Sequence, residues 1–166
     1  MIIEAIQKER PRRSSFSCGA DSLDRFLHES AQQANDKGLS RTFVAVTEED
    51  RTIILGYYTI SIVQIEAGAL PDRSARRYKL PRDRGLPAIL LARLAVSQQH
   101  QRQGIGSFLV ADALARCVRA TSEVGGVAIV VDALEESVVE WYETLGFVRF
   151  APTSLRMFFL LSRLLK

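Results

Sequence analysis

Apolar and polar positions recur with two periods along this chain, and the changes of period divide it into elements. "MIIEAI" reads as a first strand. "SCGADSLDRFLHESAQQANDKG" has helical spacing, in one piece or two, with Asp21 as candidate N-cap, Asp24 in the first turn and Gly38 as the stop. "RTFVAVTE" alternates and is rich in β-formers, and after the turn "EED" so does "TIILGYYTISIVQIE", so 41–65 predicts a hairpin. A polar loop follows, broken by Pro71, Pro81 and Pro87.

"AILLARLAVS" is apolar enough for a strand buried on both faces. Residues 104–121 return to helical spacing. Val110, Ala113, Leu114 and Cys117 share one face, and Asp112, Arg116 and Arg119 the other, with Asp112 and Arg116 an i,i+4 pair. Cys117 is therefore a small core residue. "GGVAIVVDA" is a second buried strand, "LEESVVEWYETLG" a helix stopped by Gly146, and "FVRF" and "LRMFFLLS" are late strands. The order β-α-β-β then β-α-β-α-β-β predicts a mixed α/β sheet, parallel in part, with helices on its faces. The tail "LRMFFLLSRLLK" is core or a dimer interface.

The 166 residues suit one domain with a sufficient core. Cys18 and Cys117 stand far apart and outside any CxxC pair, which argues against a disulfide framework or a zinc site and fits a reducing compartment. No run approaches a membrane helix of about 18 apolar residues, and "MIIEAIQKERPRR" lacks the apolar core of a signal peptide. The net charge of +3 does not by itself declare a nucleic-acid binder. Its distribution says more: "PDRSARRYKLPRDR" (71–84) holds six Arg or Lys against two Asp, and "KERPRR" (8–13) four basic residues. Two such clusters are either solvated surface or the footprint of an anionic partner.

"VSQQHQRQGIGSFLVADAL" runs from a buried strand into a helix through two glycines. The first amides of a helix have no intrahelical partner, and its dipole is positive there, so this is the grammar of an anion site. A P-loop needs GxxxxGK[ST], which is absent, and a dinucleotide fingerprint needs a third glycine where Leu109 stands. What remains is Q-x-x-G-x-G, filled by Gln101, Gly104 and Gly106, a weak pattern alone.

With "WYETLGF" some 40 residues on, which supplies Trp141, Tyr142, Gly146 and Phe147, and with "VAIVVDA" between, the chain resembles the GNAT-type N-acetyltransferases. The resemblance implies a GNAT-like mixed central sheet with helices on both faces, one domain over 1–166, and acetyl-coenzyme A as cosubstrate with no metal. It implies a pyrophosphate cradle at Gln101, Arg102, Gln103, Gly104, Ile105, Gly106 and Ser107. It further implies that backbone at Leu94, Ala95 and Val96, at a strand irregularity, orients the thioester. "FSCGADSLDRFLHESAQQANDKGLSRTFVAV", the basic loop and "VDALEESVVEWYETLGF" look like one bacterial subgroup, the acetyltransferase toxins paired with ribbon-helix-helix antitoxins. That likeness implies a cytoplasmic homodimer that acetylates the amino group of aminoacyl-transfer RNA and blocks translation. Many GNAT enzymes carry Asn after the penultimate strand; here Asp132 begins "DAL", and no catalytic role is assigned to it.

Acetyl transfer needs a neutral amine, a polarised thioester and a proton for the departing sulfur. Tyr142 is the candidate acid, its phenol having an ordinary pKa of about 10; the alternative is a packed aromatic. No general base stands out. His28 and His100 read as surface residues, and Glu66, Glu135 or Glu136 remain as hidden candidates. This weakly favours an α-amine, with a pKa of about 8, over a lysine amine. Arg73, Arg76, Arg77, Lys79, Arg82 and Arg84 are candidates for a phosphate backbone, and Tyr78 for a base. Arg93 interrupts an apolar strand and serves either a structural salt bridge or a substrate phosphate. The rival functions are a GNAT enzyme for a small amine or a protein N-terminus, and a binding protein that holds the cofactor without turnover.

Overall fold

Alternating β-branched and aromatic residues form the hairpin that the pattern predicts. Strand β2 (Arg41–Val46) lies antiparallel to β3 (Ile54–Glu66), and β1 (Ile2–Ala5) pairs antiparallel with β2 from Ile2↔Val46 to Ala5↔Phe43. The structure, a computed structural model, describes residues 1–8 and 13–164. Most of the basic stretch at 8–13 and the last two residues of the tail lie outside that range.

The chain divides into two compact units, Met1–Ser61 with Ala92–Ala113, and Ile62–Leu91 with Leu114–Lys166. The strand order is β1-β2-β3-β4-β5-β7-β6, with β4 at Gly85–Val96, β5 at Ala128–Asp132, β6 at Val148–Arg149 and β7 at Arg156–Leu160. β4 and β5 are parallel, joined by helix α4 (Ile105–Val124), while β7 is antiparallel to β5 and to β6. The sheet is therefore mixed.

In the first unit, Ile6, Phe16, Leu27, Val46, Tyr57 and Ala95 belong to one core. Helix α1 (Asp21–Arg25), a π-helical turn (Phe26–Ser30) and helix α2 (Ala31–Asp36) cover the expected helical stretch in pieces. Asp21 is not the cap: Ala20 holds that position, and the first-turn carboxylate that works is Asp24, which accepts the Cys18 N–H at 2.8 Å. Gly38 ends α2 as expected, at φ +71°. Two buried hydroxyls, Thr42 and Thr59, satisfy each other at 2.8 Å.

In the second unit, Ile65, Leu70, Leu86, Ala128, Val130 and Phe158 share a core. The polar loop expected at 71–84 contains a helix, α3 (Asp72–Arg77). Pro71 precedes its first turn, and Ala75, buried, and Tyr78, half-buried, tie it to that core. Helix α5 (Glu136–Thr144) ends as predicted: Gly146 sits at φ +93°, and the Phe147 N–H bonds back to Tyr142 O at 3.2 Å. β4 is less buried than its composition suggests. Leu91 and Ala95 are covered, but Ala92, Arg93, Leu94 and Val96 are half-exposed. The tail is core from Met157 to Leu161.

Candidate active site

The glycine loop is built by clamping. After β4 the chain makes a single 3-10 turn, Gln98–His100, and the Gln98 N–H donates to Ser17 O at 2.9 Å. Gln101 is not free to embrace a ligand with its side chain. Its amide Nε2 donates to Val96 O at 3.0 Å and to Cys18 O at 2.9 Å, and so pins the loop at both ends. Two left-handed residues then turn the backbone, Arg102 at φ +59° and Gly104 at φ +83°.

The first bond of α4 runs from Phe108 N–H to Gly104 O at 3.1 Å. The amides of Ile105, Gly106 and Ser107 thus lie ahead of the helical ladder, at the positive end of a 20-residue helix. Buried Ile105 anchors that turn, while Gln101–Gly104 are exposed. A Cβ built on Gly104 meets nothing within 4 Å, so the space over this backbone is open. Orphan amides beneath an open approach fit a pyrophosphate. At the other end, the β4–β5 register runs from Ala88↔Ala128 to Leu91↔Val131, and Leu94–Val96 lie beyond it.

Tyr142 belongs to the second unit. Its side chain is packed against Trp141 and Phe147, with ring centroids 4.8 and 5.1 Å away, and only 5% of the residue is exposed. Burial pushes the phenol above its ordinary range, so it keeps its proton at neutral pH. Among the described residues, no group accepts or donates a hydrogen bond at its hydroxyl. The tightly packed alternative explains the ring and leaves the hydroxyl without a purpose.

The candidate bases divide: Glu66 is exposed at the end of β3, and Glu135, also exposed, accepts a hydrogen bond from the Ser137 hydroxyl. Glu136 is bound by Arg149, which also takes Glu143 at 2.9 Å; the ion pair holds the Glu136 carboxyl below its usual range and disposes of it as a base. Asp132 faces Arg156 across the β5–β7 ladder, at 3.5 Å. His28 is structural rather than a surface residue, because its Nε2 contacts Phe16 O at 2.8 Å. His100 is half-buried, not a plain surface residue. Cys117 is wholly covered, and burial pushes its thiol up to about 12.

The basic segment is not uniform. Arg82 is paired with Asp72 at 2.7 Å, and Arg84 with Asp83 at 3.6 Å. Arg76, Arg77 and Lys79 are exposed, Lys79 in the left-handed region at φ +52°. Arg93 does not form the structural salt bridge that was one of its two expected roles. Among the described residues it has no carboxylate; its guanidinium lies 3.7 Å over the ring of Phe26, a cation–π contact. Arg163, absent from the sequence-based candidates, reaches the Gly146 carbonyl at 2.7 Å and lies over Phe159. Among the described residues no group of His, Cys, Asp and Glu could hold a metal, and no helix is long and apolar enough to cross a membrane.

Residues 39–149 match the acetyltransferase (GNAT) domain family. The chain is 35% identical to a "tRNA-acetylating toxin" of Mycobacterium tuberculosis, over 84% of this chain and 80% of that one. It is 29% identical to a "probable toxin TacT" of Sinorhizobium fredii, over 95% and 89%. Among solved structures it is similar to a tyrosine-to-phenylalanine mutant of KacT, with a TM-score of 0.89, 29% identity, and coverage of 98% and 95%. It is also similar to AtaT complexed with acetyl-methionyl-tRNAfMet, with a TM-score of 0.87, 29% identity, and coverage of 98% and 96%. Other AtaT structures contain acetyl-coenzyme A or the antitoxin AtaR. With a strand-loop-helix whose first amides lie ahead of the helical ladder and a family match over two-thirds of its length, the chain belongs to the GNAT acetyltransferases.

Proposed function

We propose that this protein transfers an acetyl group from acetyl-coenzyme A to the α-amino group of aminoacyl-transfer RNA, and so acts as a translation-blocking toxin. The likeness to the tRNA-acetylating toxin, which runs over most of both chains, carries the substrate half of this reading. The chemistry rests on the chain's own residues. The amides of Gln103–Ser107 hold the pyrophosphate, with Gln101 and Arg102 shaping the loop. The backbone of Leu94, Ala95 and Val96 orients the pantetheine arm and polarises the thioester carbonyl. Acetyl-coenzyme A supplies the acyl group and a thiolate leaving group. Tyr142 gives that sulfur its proton and is reprotonated from water, while the attacking amine, once bonded to the acyl carbon, releases its own proton to water. Arg76, Arg77, Lys79, Arg82 and Arg93 contact the RNA. All of this belongs to one domain, 1–166, working as a cytoplasmic homodimer under a ribbon-helix-helix antitoxin; the AtaT–AtaR complexes support the antitoxin.

The test is mass spectrometry of the aminoacyl adenosine that nuclease releases from charged transfer RNA after treatment with enzyme and acetyl-coenzyme A. A gain of one acetyl group on the aminoacyl moiety is expected. Turnover of a polyamine or a peptide N-terminus, with no charged transfer RNA modified, would assign the enzyme to small amines or proteins instead.

A further inference from the structure

Three arginines of the second unit converge on one cavity of about 280 Å³. Arg73 and Arg77 reach it from α3, four residues apart and so on one face of that helix, and Arg163 from the 3-10 turn after β7. Tyr78, Phe158 and Leu160 line it with them, and no acidic residue does. Other arginines of this unit are neutralised: Arg82 by Asp72, Arg149 by Glu136 and Glu143, Arg156 by Asp132. The three at the cavity have no carboxylate partner among the described residues. What they have is aromatic: Arg77 lies 5.5 Å from the centroid of Tyr78, and Arg163 4.8 Å from that of Phe159.

Like charges gathered around a small hollow repel one another until an anion joins them. The planar guanidinium fork matches phosphate oxygens two at a time. Apart from Ser74, the rest of the lining is apolar and aromatic, which suits a flat heterocycle. Phosphate-binding forks beside a stacking surface, in a space at the small end of ligand cavities, are the chemistry of a single nucleotide. The exposed cations Arg76 and Lys79 continue past the cavity on and just after the same helix, as a ligand whose charges run on would require.

We propose that Arg73, Arg77 and Arg163 grip the phosphate of one nucleotide of the RNA substrate, with its base against Tyr78, Phe158 and Leu160. This rests on the RNA reading above and gives it a place. The sequence offered the basic residues of 73–84 as contacts; the cavity selects Arg73 and Arg77 from that set and adds Arg163.

The experiment measures uncharged transfer RNA binding by fluorescence anisotropy between 50 and 200 mM salt, beside the acetylation assay. Ser74 also lines the cavity, and Ser74→Trp fills it without changing charge. That variant is expected to weaken RNA binding about tenfold, the size of one lost base stack. Arg73→Gln with Arg77→Gln should flatten the slope of log affinity against log salt by about 1.4 to 1.8, two phosphate contacts' worth. Arg119→Gln, an exposed cation on α4, is the control and should leave the slope alone. The cavity is refuted as an RNA site if folded Ser74→Trp binds like wild type. If that variant does not fold, a slope in the double variant no flatter than in Arg119→Gln refutes it equally. Two further results overturn it in favour of another occupant. One is a ribonucleoside monophosphate that raises the wild-type melting temperature but not the double variant's, with RNA binding equal in both. The other is an acidic peptide behaving the same way. Wild-type enzyme that acetylates charged transfer RNA while both variants bind RNA normally means the cavity is wrong and the function right. Wild-type enzyme that acetylates none means the function is wrong, whatever the cavity holds.

Discussion

Replacing Gly104 by alanine separates a cradle from a turn. In the free protein a Cβ at this position has nothing within 4 Å to strike. The only cost is the left-handed backbone at φ +83°, about 1–2 kcal/mol for an L-residue. Gly38 is a matched control, at φ +71° and equally open, but at the end of α2 rather than in the loop. Gly38→Ala and Gly104→Ala should therefore lose stability alike in urea, by about 1–2 kcal/mol each. Their affinities for acetyl-coenzyme A should part. In the proposed binding mode the methyl at Gly104 stands where phosphate oxygens approach the amides. Losing one charge-assisted hydrogen bond costs about 1.5–3 kcal/mol, or roughly 10- to 150-fold in Kd. Isothermal calorimetry on the two folded variants reads the difference. If Gly104→Ala binds the cofactor as tightly as Gly38→Ala does, the glycine serves the turn alone and the pyrophosphate lies elsewhere.

Tyr142→Phe removes one hydroxyl and little volume, so kcat should fall about 10²- to 10⁴-fold while acetyl-coenzyme A affinity and melting temperature hold; a variant within a few-fold of wild-type turnover returns the residue to the core. Because burial raises the Tyr142 phenol, kcat/KM should climb as an amine of pKa about 8 loses its proton and then stay flat through the ordinary tyrosine pKa; a falling limb at or below about pH 10 would show an unperturbed acid. Leu109 is completely buried on α4, so Leu109→Ala should cost about 2–5 kcal/mol in urea unfolding; a smaller loss would mean that the helix bearing the glycine loop is not packed as described.

Much of this was legible because period and punctuation agreed. The 41–65 hairpin alternates, β5 is an unbroken apolar run, and Gly38 and Gly146 fall where left-handed residues end helices. Where the signal failed, tertiary packing had decided the outcome. α3 hides among charges and prolines, and Ala75 and Tyr78 make it a helix by packing against strands that a local pattern does not mention. The salt-bridge alternative for Arg93 failed because its cation–π partner, Phe26, stands in a distant part of the chain. Arg163 sat in a tail read for its apolar residues, as core or interface. Side-chain roles were least visible of all. Gln101 fits the motif in the sequence, yet its amide is spent on two carbonyls, so its contribution is to shape the backbone that binds.

The distribution of carboxylates bears on the choice of amine. An enzyme that acetylates lysine has to remove a proton held with a pKa near 10.4, and does so with a base poised near neutrality. Here Glu136 is fixed by Arg149 and held below its usual range, Asp132 faces Arg156, and Asp24 is engaged with the Cys18 amide. Glu136 and Asp24 are both held below the ordinary carboxylate range, the opposite of what such a task demands. Tyr142, the proposed acid, is shifted upward by burial and so keeps its proton until a leaving group needs it. With Tyr142 in the proposed role of acid and these carboxylates engaged, the reaction favours an amine of which a useful fraction is already neutral, and an α-amine with a pKa of about 8 meets that condition better than a lysine side chain. On this argument the positive charges outside the chemistry take up the work of selection. The amine is reactive enough to need no activation, so what the enzyme must recognise is the anion that carries it.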